Sequence, residues 1–154
     1  MMKKRRGFVQ LAILHLLRDD SMHGYQIMKE LEDRSDGHYL ASAGTVYPAL
    51  QELQNQEMID LEPETDKKVY FINQKGKDRL EEFAKSGKGD FWVDWKEWSI
   101  WRNSTESVQL KEAIDLWEVE MRKAMKGARM NAEKSVELIA FLKEITERLK
   151  KENR

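Results

Sequence analysis

A short segment near residue 45 holds the side chains with the clearest chemical potential. Ser42, Thr45 and Tyr47 bring three hydroxyl groups together, and hydroxyl groups can donate or accept hydrogen bonds at base edges and phosphates. Gly44 would let the backbone come close to a duplex, and the small methyl groups of the segment could touch a thymine methyl group. The candidates for DNA contact are Ser42, Ala43, Gly44, Thr45, Val46 and Tyr47. For Val46, which shares one helix face with Leu50 and Leu53, a core position is the preferred alternative.

Binding to a duplex also requires cations, because Lys and Arg displace counterions from phosphates. Residues 1–85 contain 13 Lys and Arg against 15 Asp and Glu, so the region is slightly acidic. Its positive charge is concentrated in an arm, Lys3–Arg6, and at Lys67 and Lys68. We assign the two lysines to phosphate contacts, with an ordinary solvated face as the alternative. The arm could follow the DNA backbone or be ordinary surface. The neighbouring turn, Glu62–Asp66, is acidic and argues against deep insertion into the minor groove.

Other kinds of chemistry find little support. The chain has no cysteine, which excludes disulfides, thiolate metal sites and cysteine nucleophiles. Its three histidines lack metal-ligand spacing, and no catalytic triad, carboxylate pair or phosphate-binding loop is visible. No apolar run approaches the ~20 residues of a membrane span. We therefore expect a cytoplasmic protein that is not an enzyme and needs no metal or cofactor.

Hydrophobic periodicity indicates the elements that hold the hydroxyl segment. Apolar positions recur at helical spacing and then change to an alternating, β-branched pattern. Ser21 and Ser42 are predicted N-caps for the second and third helices, and Asn73 for the fourth. The predicted elements are helices over 7–18, 23–34 and 42–56, strands over 58–62 and 67–72, and a helix from Asn73 to about Gly87. This order predicts a mainly α fold with a winged helix-turn-helix head, residues 1–86.

Several short motifs in the head resemble those of the PadR family of bacterial transcriptional regulators. They are His23–Ile27 (an H-G-Y element), Ser42–Leu50 (the G-T-V-Y-P start of a recognition helix), Lys68–Ile72 (a K-x-Y wing strand) and Asn73–Gly76. The resemblance covers about half of the chain. It implies a homodimeric winged-helix repressor that often responds to phenolic compounds, drugs or other stresses. In a helix-turn-helix the second helix enters the major groove, which would place Ser42–Tyr47 at base edges.

The C-terminal region, residues 87–154, is predicted to be a helical dimerisation region. From Asn103 onward apolar residues recur at alternating spacings of four and three, the heptad rhythm of a coiled coil. The middle of this seam is small or polar, which leaves open one long helix or two helices that fold back near Gly127. The unbroken heptad phase favours the continuous helix. The predicted dimerisation residues are Trp92, Leu110, Ile114, Trp117, Met121, Leu138, Leu142 and Ile145.

The segment 87–102 contains four of the five tryptophans. On a helix these rings point in several directions, so the segment is expected to lie between the head, the tail and a second subunit. Two interpretations stay open. The rings form a hydrophobic dimer core, or, as in some similar relatives, they line a pocket for a flat effector, for which Trp95 and Trp98 are the best candidates.

Together these observations predict a sequence-specific DNA-binding regulator. Its partners would be double-stranded DNA at a pseudo-palindromic operator, a second copy of itself, and a small aromatic effector that releases it. We expect it to act as a repressor. The alternative is a winged-helix adaptor that recruits another protein through its heptad tail.

Overall fold

The structure is a computed structural model, and it describes residues 6–63, 66–87 and 89–154. Outside the described residues lie three residues of the predicted basic arm, Lys3, Lys4 and Arg5, and two of the acidic turn, Glu64 and Thr65. The chain divides into two compact units, residues 1–104 and 105–154. Each unit is helical, and the first also contains a small antiparallel sheet.

The first unit has the winged helix-turn-helix architecture that the sequence predicts. Its elements are α1 (Arg6–Asp19), β1 (Met22–His23), α2 (Gly24–Asp33), α3 (Ala43–Asn55), β2 (Ile59–Leu61), β3 (Val69–Ile72), α4 (Gln74–Ala84) and α5 (Phe91–Arg102). The almost wholly apolar α1 contacts α2, α3, α4 and β3, and Ala12, Ile13 and Leu14 at its centre are buried. A helix without a polar face needs cover on several sides, and these four elements provide it.

The sheet contains one strand that the sequence did not predict. β1 pairs with β3, with Met22 opposite Tyr70, and β2 pairs with the other edge of β3, with Ile59 opposite Ile72. A two-residue strand is too short to show alternation, so periodicity could not reveal it. Its consequence is that the start of α2 is tied directly to the wing.

The N-cap of α2 is His23, so the prediction that Ser21 caps this helix is wrong. The His23 Nδ1 atom accepts a hydrogen bond from the Gln26 N–H at 3.2 Å, and Gln26 Oε1 accepts one from the His23 N–H at 3.0 Å. An imidazole here replaces the hydroxyl or carboxylate acceptor of an ordinary capping box. Ser21 lies ahead of β1 and therefore cannot reach the first turn of the helix.

The junction between the wing and α4 is held by Asn73 and Gly76. Asn73 Oδ1 accepts from the Gly76 N–H at 3.1 Å, which agrees with its predicted capping role. Its Nδ2 donates to the Glu57 carbonyl oxygen at 2.6 Å. A Cβ atom on Gly76 would lie 2.4 Å from the Met58 carbonyl oxygen. Glycine is needed here because α4 crosses the backbone just ahead of β2 at very short range.

The tryptophan-rich helix α5 packs on the head, whereas the sequence grouped it with the C-terminal region. Trp95 is fully buried and its indole N–H donates to the Leu31 carbonyl oxygen at 3.1 Å. The Phe8 ring lies 5.2 Å from Phe91 and 5.1 Å from Trp98, measured between ring centroids. The boundary between compact units is therefore at residues 104/105 and not at 86/87.

The second unit is a helical hairpin, α6 (Thr105–Arg129) and α7 (Ala132–Glu152), so the preference for one continuous helix is wrong. Asn131 begins α7, its Oδ1 accepting from the Glu133 and Lys134 N–H groups at 2.9 and 3.3 Å. The break thus lies after Arg129, and Gly127 remains within α6.

The predicted heptad seam is only partly available to a second subunit. Its half-buried members are Ile114, Met121, Leu138, Leu142 and Ile145. Since α6 and α7 contact each other, these side chains belong to a seam within one chain, whereas Leu110 and Trp117 are exposed. None of the described helices is long and apolar enough to cross a membrane.

Candidate nucleic-acid interface

The start of α3 presents its hydroxyl groups outward. Ser42 is the extended N-cap residue, and its carbonyl oxygen accepts from the Thr45 and Val46 N–H groups at 3.1 and 2.9 Å. Its hydroxyl turns to Thr45 Oγ1, 3.1 Å away, rather than to the helix backbone. Both residues are exposed. A hydroxyl pair held only by each other can exchange this weak bond for contacts with a base or phosphate.

Five of the six residues predicted in this segment are exposed, and one is not. Ser42, Ala43, Gly44, Thr45 and Tyr47 all face solvent. Val46 is completely buried, so the prediction that it contacts DNA is wrong. Val46, Leu50 and Leu53 recur at helical spacing and form the core-facing side of α3. Their burial is what directs the remaining residues outward.

Gly44 leaves open space at the tip of the helix. A Cβ atom at this position would meet none of the described atoms within 4 Å. Its φ lies outside the left-handed region, so the backbone does not require glycine. The isolated molecule therefore gives no packing reason for the residue, whereas a close approach by a duplex would give one.

Tyr47 extends sideways from α3 across the start of α2. A Cβ atom on Gly24 would lie 2.7 Å from the Tyr47 hydroxyl oxygen and 2.8 Å from Cε1 of the ring. The side chain is still 47% exposed. Tyr70 of β3 lies nearby, and its pKa is raised above its ordinary value, first by burial and then by Tyr47. Tyr47 thus lies where α2, α3 and the wing meet.

The wing presents the two predicted lysines. Lys67 and Lys68 are exposed just before β3, and the hydrogen bond from the Glu62 N–H to the Val69 carbonyl oxygen, at 2.8 Å, extends the hairpin towards them. Of the two acidic residues at either side of the turn, Asp66 is also exposed and Glu62 is half-buried. Carboxylates repel DNA phosphates, so the acidic residues of the turn oppose the attraction that Lys67 and Lys68 provide.

Sequence reasoning missed several exposed residues around α3. Tyr25 on α2 is 68% exposed, and Leu40 in the loop before α3 is 80% exposed. Gln51 and Asn55 lie on the outer face of α3 and pair at 3.1 Å. Helical phase could have identified Tyr25, because the buried positions of α2 are Gly24, Ile27 and Leu31, and residue 25 points away from them.

The two tryptophans proposed as an effector pocket are occupied by intramolecular contacts. Trp95 has no exposed surface and its ring centroid lies 4.8 Å from that of Tyr39. Trp98 is half-buried, with the Arg102 guanidinium 5.0 Å from its ring centroid. Trp92 is also half-buried and carries the Arg34 guanidinium 4.7 Å from its ring. The prediction of a pocket at Trp95 is therefore wrong.

His15 lies beside a cavity elsewhere in the head. Its ring stacks on Phe91 at 4.2 Å, and its Nε2 atom is buried without a hydrogen-bond partner among the described residues. Burial, followed by the charge of Arg18, lowers the pKa of His15 to about 4, so the ring is neutral near pH 7. A cavity of about 370 Å³ adjoins it, with Phe83 and Trp92 among its lining residues. The described residues contain no cluster of three metal-ligating side chains.

Comparison with known proteins also indicates a transcriptional regulator. The family model described as "Transcriptional regulator PadR-like family" matches residues 13–82, which include α2, α3, both strands of the wing and most of α4. The head of the chain therefore contains a domain of the PadR-like family of transcriptional regulators. This confirms the resemblance drawn from the sequence motifs. The match is to regulators and not to enzymes, in agreement with the prediction.

Two individual relatives align with part of the chain. "Transcriptional regulator YqjI" of Escherichia coli (strain K12) is 39% identical over 77 residues, 49% of this chain and 37% of that protein. The chain thus aligns with little more than a third of that relative's length. An uncharacterized protein of Lysinibacillus sphaericus is 29% identical over 97 residues, which are 60% of this chain and 84% of that protein.

Solved structures similar to this chain include two further regulators. A transcriptional regulator from Clostridium thermocellum has 28% identity and a TM-score of 0.48, and the alignment covers 53% of this chain and 81% of that one. A PadR family regulator from Clostridium difficile R20291 has 26% identity and a TM-score of 0.46, with 52% and 86% coverage.

Proposed function

We propose that this chain is a DNA-binding transcriptional regulator that represses by occupying a pseudo-palindromic operator as a twofold homodimer. The observation that carries the proposal is the outward-facing start of α3 in a PadR-like head. In a helix-turn-helix this turn faces the base edges of the major groove. Ser42 and Thr45 would contact bases or phosphates, and Ala43 and Gly44 would allow close approach.

The distribution of charged residues determines how strongly the proposed interface attracts DNA. The helix α3 contains no Lys or Arg, so its contacts would supply sequence discrimination and little electrostatic attraction. Lys67 and Lys68 would bind phosphates beside the groove. Because the wing is also acidic, we expect the specific affinity to be modest. Because the attraction comes from phosphate contacts, we expect this affinity to fall steeply with salt. A regulator that binds chromosomal DNA would act in the bacterial cytoplasm.

The second unit supports the dimer in this proposal. A two-helix hairpin cannot cover all its apolar side chains, and large ones remain exposed on α6, on α7 and, at Met130, in the turn between them. They are Val108, Leu110, Leu116, Trp117, Val119, Met125, Met130, Val136, Ile139, Phe141 and Leu149. Pairing with a second hairpin would bury them in a four-helix arrangement. The two recognition helices would then bind half-sites about one helical turn, ~34 Å, apart.

The better candidate site for an effector that releases the DNA is the cavity beside His15 rather than Trp95 and Trp98. The cavity beside His15 is lined by Phe83 and Trp92 and adjoins a buried nitrogen without a described partner. A flat aromatic molecule with a hydroxyl group would stack on these rings and complete that hydrogen bond. Quenching of tryptophan emission by such compounds, lost in Trp92→Leu, tests this part of the proposal, and unchanged emission across a broad panel would reject it.

The second candidate function, a protein-interaction adaptor, is favoured by the exposed apolar surface of the hairpin and by the acidic wing. A gel-shift titration distinguishes the two. Duplex DNA from upstream of the gene that encodes this chain is titrated at a series of salt concentrations, together with Thr45→Val and a control, Thr146→Val in α7. We expect binding that weakens steeply with salt and weakens further in Thr45→Val alone. No shift at low salt would favour the adaptor.

A further inference from the structure

Gly24 of α2 lies against the Tyr47 ring of α3, and neither helix alone explains why residue 24 is glycine. Gly24 is the first residue of α2 and is buried. Glycine is less favourable than alanine in a helix because it loses more backbone freedom on folding. Its φ lies outside the left-handed region, so its backbone conformation is open to any residue. The reason for glycine here is therefore space and not conformation.

The space is occupied by the Tyr47 ring. A Cβ atom on Gly24 would lie 2.7, 2.8 and 2.9 Å from the hydroxyl oxygen, Cε1 and Cζ of Tyr47. Ordinary van der Waals contact begins near 3.4 Å, so the ring would have to move by about 0.7 Å, the difference between 3.4 and 2.7 Å. Because the atoms concerned are the end of a half-exposed side chain, the ring can move without unfolding the core.

Moving the ring would alter the geometry of the interface. Tyr47 follows Thr45 by two residues in the first turns of α3, and its ring reaches across to the strand-helix junction at His23 and Gly24. That junction is hydrogen-bonded to the wing through the pairing of His23 with Val69. The ring therefore spans the recognition helix and the base of the wing.

We propose that Gly24 is a positioning residue for DNA recognition. Its missing side chain seats the Tyr47 ring across the start of α2 and so sets the direction of the Tyr47 hydroxyl and of the first turn of α3 relative to the wing. The inference rests on the proposed function, since it assigns a residue to the accuracy of DNA binding. It also gives a physical role to the H-G-Y and G-T-V-Y-P motifs, which supply the two halves of one contact.

A double-mutant cycle tests the proposal. Gly24→Ala, Tyr47→Ala and the double variant are titrated with a 30-base-pair duplex selected from a random library by the wild-type protein, and with an unrelated duplex. We expect Gly24→Ala to weaken binding of the selected duplex about tenfold and to leave the unrelated duplex unchanged. In the Tyr47→Ala background, Gly24→Ala should have no further effect, because no ring remains to be displaced. Gly7→Ala, at an open position in α1, is the matched control.

Folding is followed separately by urea denaturation, so that a loss of structure is not mistaken for a loss of recognition. Equal weakening of both duplexes by Gly24→Ala, additive effects in the double variant, or unchanged affinity for the selected duplex would each overturn the positioning role. A wild-type protein that selects no duplex would overturn the proposed function itself, and this inference with it.

Discussion

Replacing Gly44 with alanine should change stability and DNA binding in opposite directions. A Cβ atom at Gly44 would meet no described atom within 4 Å, and the residue is exposed in the first turn of α3. Alanine is favoured over glycine in a helix by about 0.5–1 kcal/mol, chiefly because it restricts the unfolded chain. The free energy of unfolding should therefore rise by up to about that amount.

Binding of the selected duplex should weaken in the same variant. If the backbone at Gly44 approaches the groove closely, a new methyl group overpacks the interface, and overpacking costs about 1–3 kcal/mol. This corresponds to a loss of about 5-fold to 150-fold in affinity. Mutations that act by damaging the fold lower stability and binding together, so opposite signs are specific to an interface position.

The assay combines urea denaturation, followed by circular dichroism, with fluorescence-anisotropy titration of the selected duplex. Gly7→Ala is the control, because it also adds a methyl group into open space at the start of a helix. We expect it to leave affinity unchanged. If Gly44→Ala were more stable than the wild type and bound DNA equally well, the argument that a duplex covers this turn would be refuted.

Three further predictions address the wing junction, the wing charge and the buried imidazole. Gly76→Ala should lower the free energy of unfolding by about 2 kcal/mol in urea denaturation, since its Cβ would lie 2.4 Å from the Met58 carbonyl oxygen and overpacking costs about 1–3 kcal/mol; an unchanged midpoint would contradict this. Replacing both Lys67 and Lys68 with glutamine should reduce the slope of log affinity against log salt by about 4 in gel-shift titrations, because the homodimer carries both lysines in each subunit and each phosphate contact contributes about 1; an unchanged slope would remove both lysines from the interface. His15 has a pKa of about 4 when folded, below its usual 6.5, so the unfolded chain takes up its proton first and the stabilisation present above pH 6.5 is lost as pH falls towards 4. His15→Leu should therefore lose less stability than the wild type between pH 6.5 and 5 in urea titrations, and parallel curves would refute the assignment.

Local patterns in the head were sufficient to predict its fold and to select a segment whose residues are mostly exposed. The change from helical to alternating periodicity gave the wing, and the side chain of Asn73 marked the start of α4. The exposed position of Ser42 and Thr45 followed from the same helical phase that buries Leu50. That phase also buries Val46, so the DNA contact predicted for this residue is wrong and the alternative, a core position beside Leu50, is confirmed.

The remaining differences depend on contacts distant in sequence. A heptad repeat keeps the same phase in one long helix and in a hairpin, so apolar spacing could not reveal the break that Asn131 caps. The tryptophans of α5 were assigned to the dimer because no single surface seemed able to bury them. Phe8, Leu31 and Tyr39 provide that surface in the head for Trp95 and Trp98, which only the tertiary fold shows, whereas Trp101 stays exposed.

The direct test of the account is to map where α3 meets DNA. Because the chain has no cysteine, Gln51→Cys on the exposed face of α3 can carry a single iron–EDTA cleavage reagent, with Lys143→Cys on α7 as the control. The account predicts two clusters of strand cleavage within the selected duplex, about one helical turn apart, from the reagent on α3 and none from the reagent on α7. Cleavage spread evenly along the duplex, or equal cleavage from both positions, would contradict it.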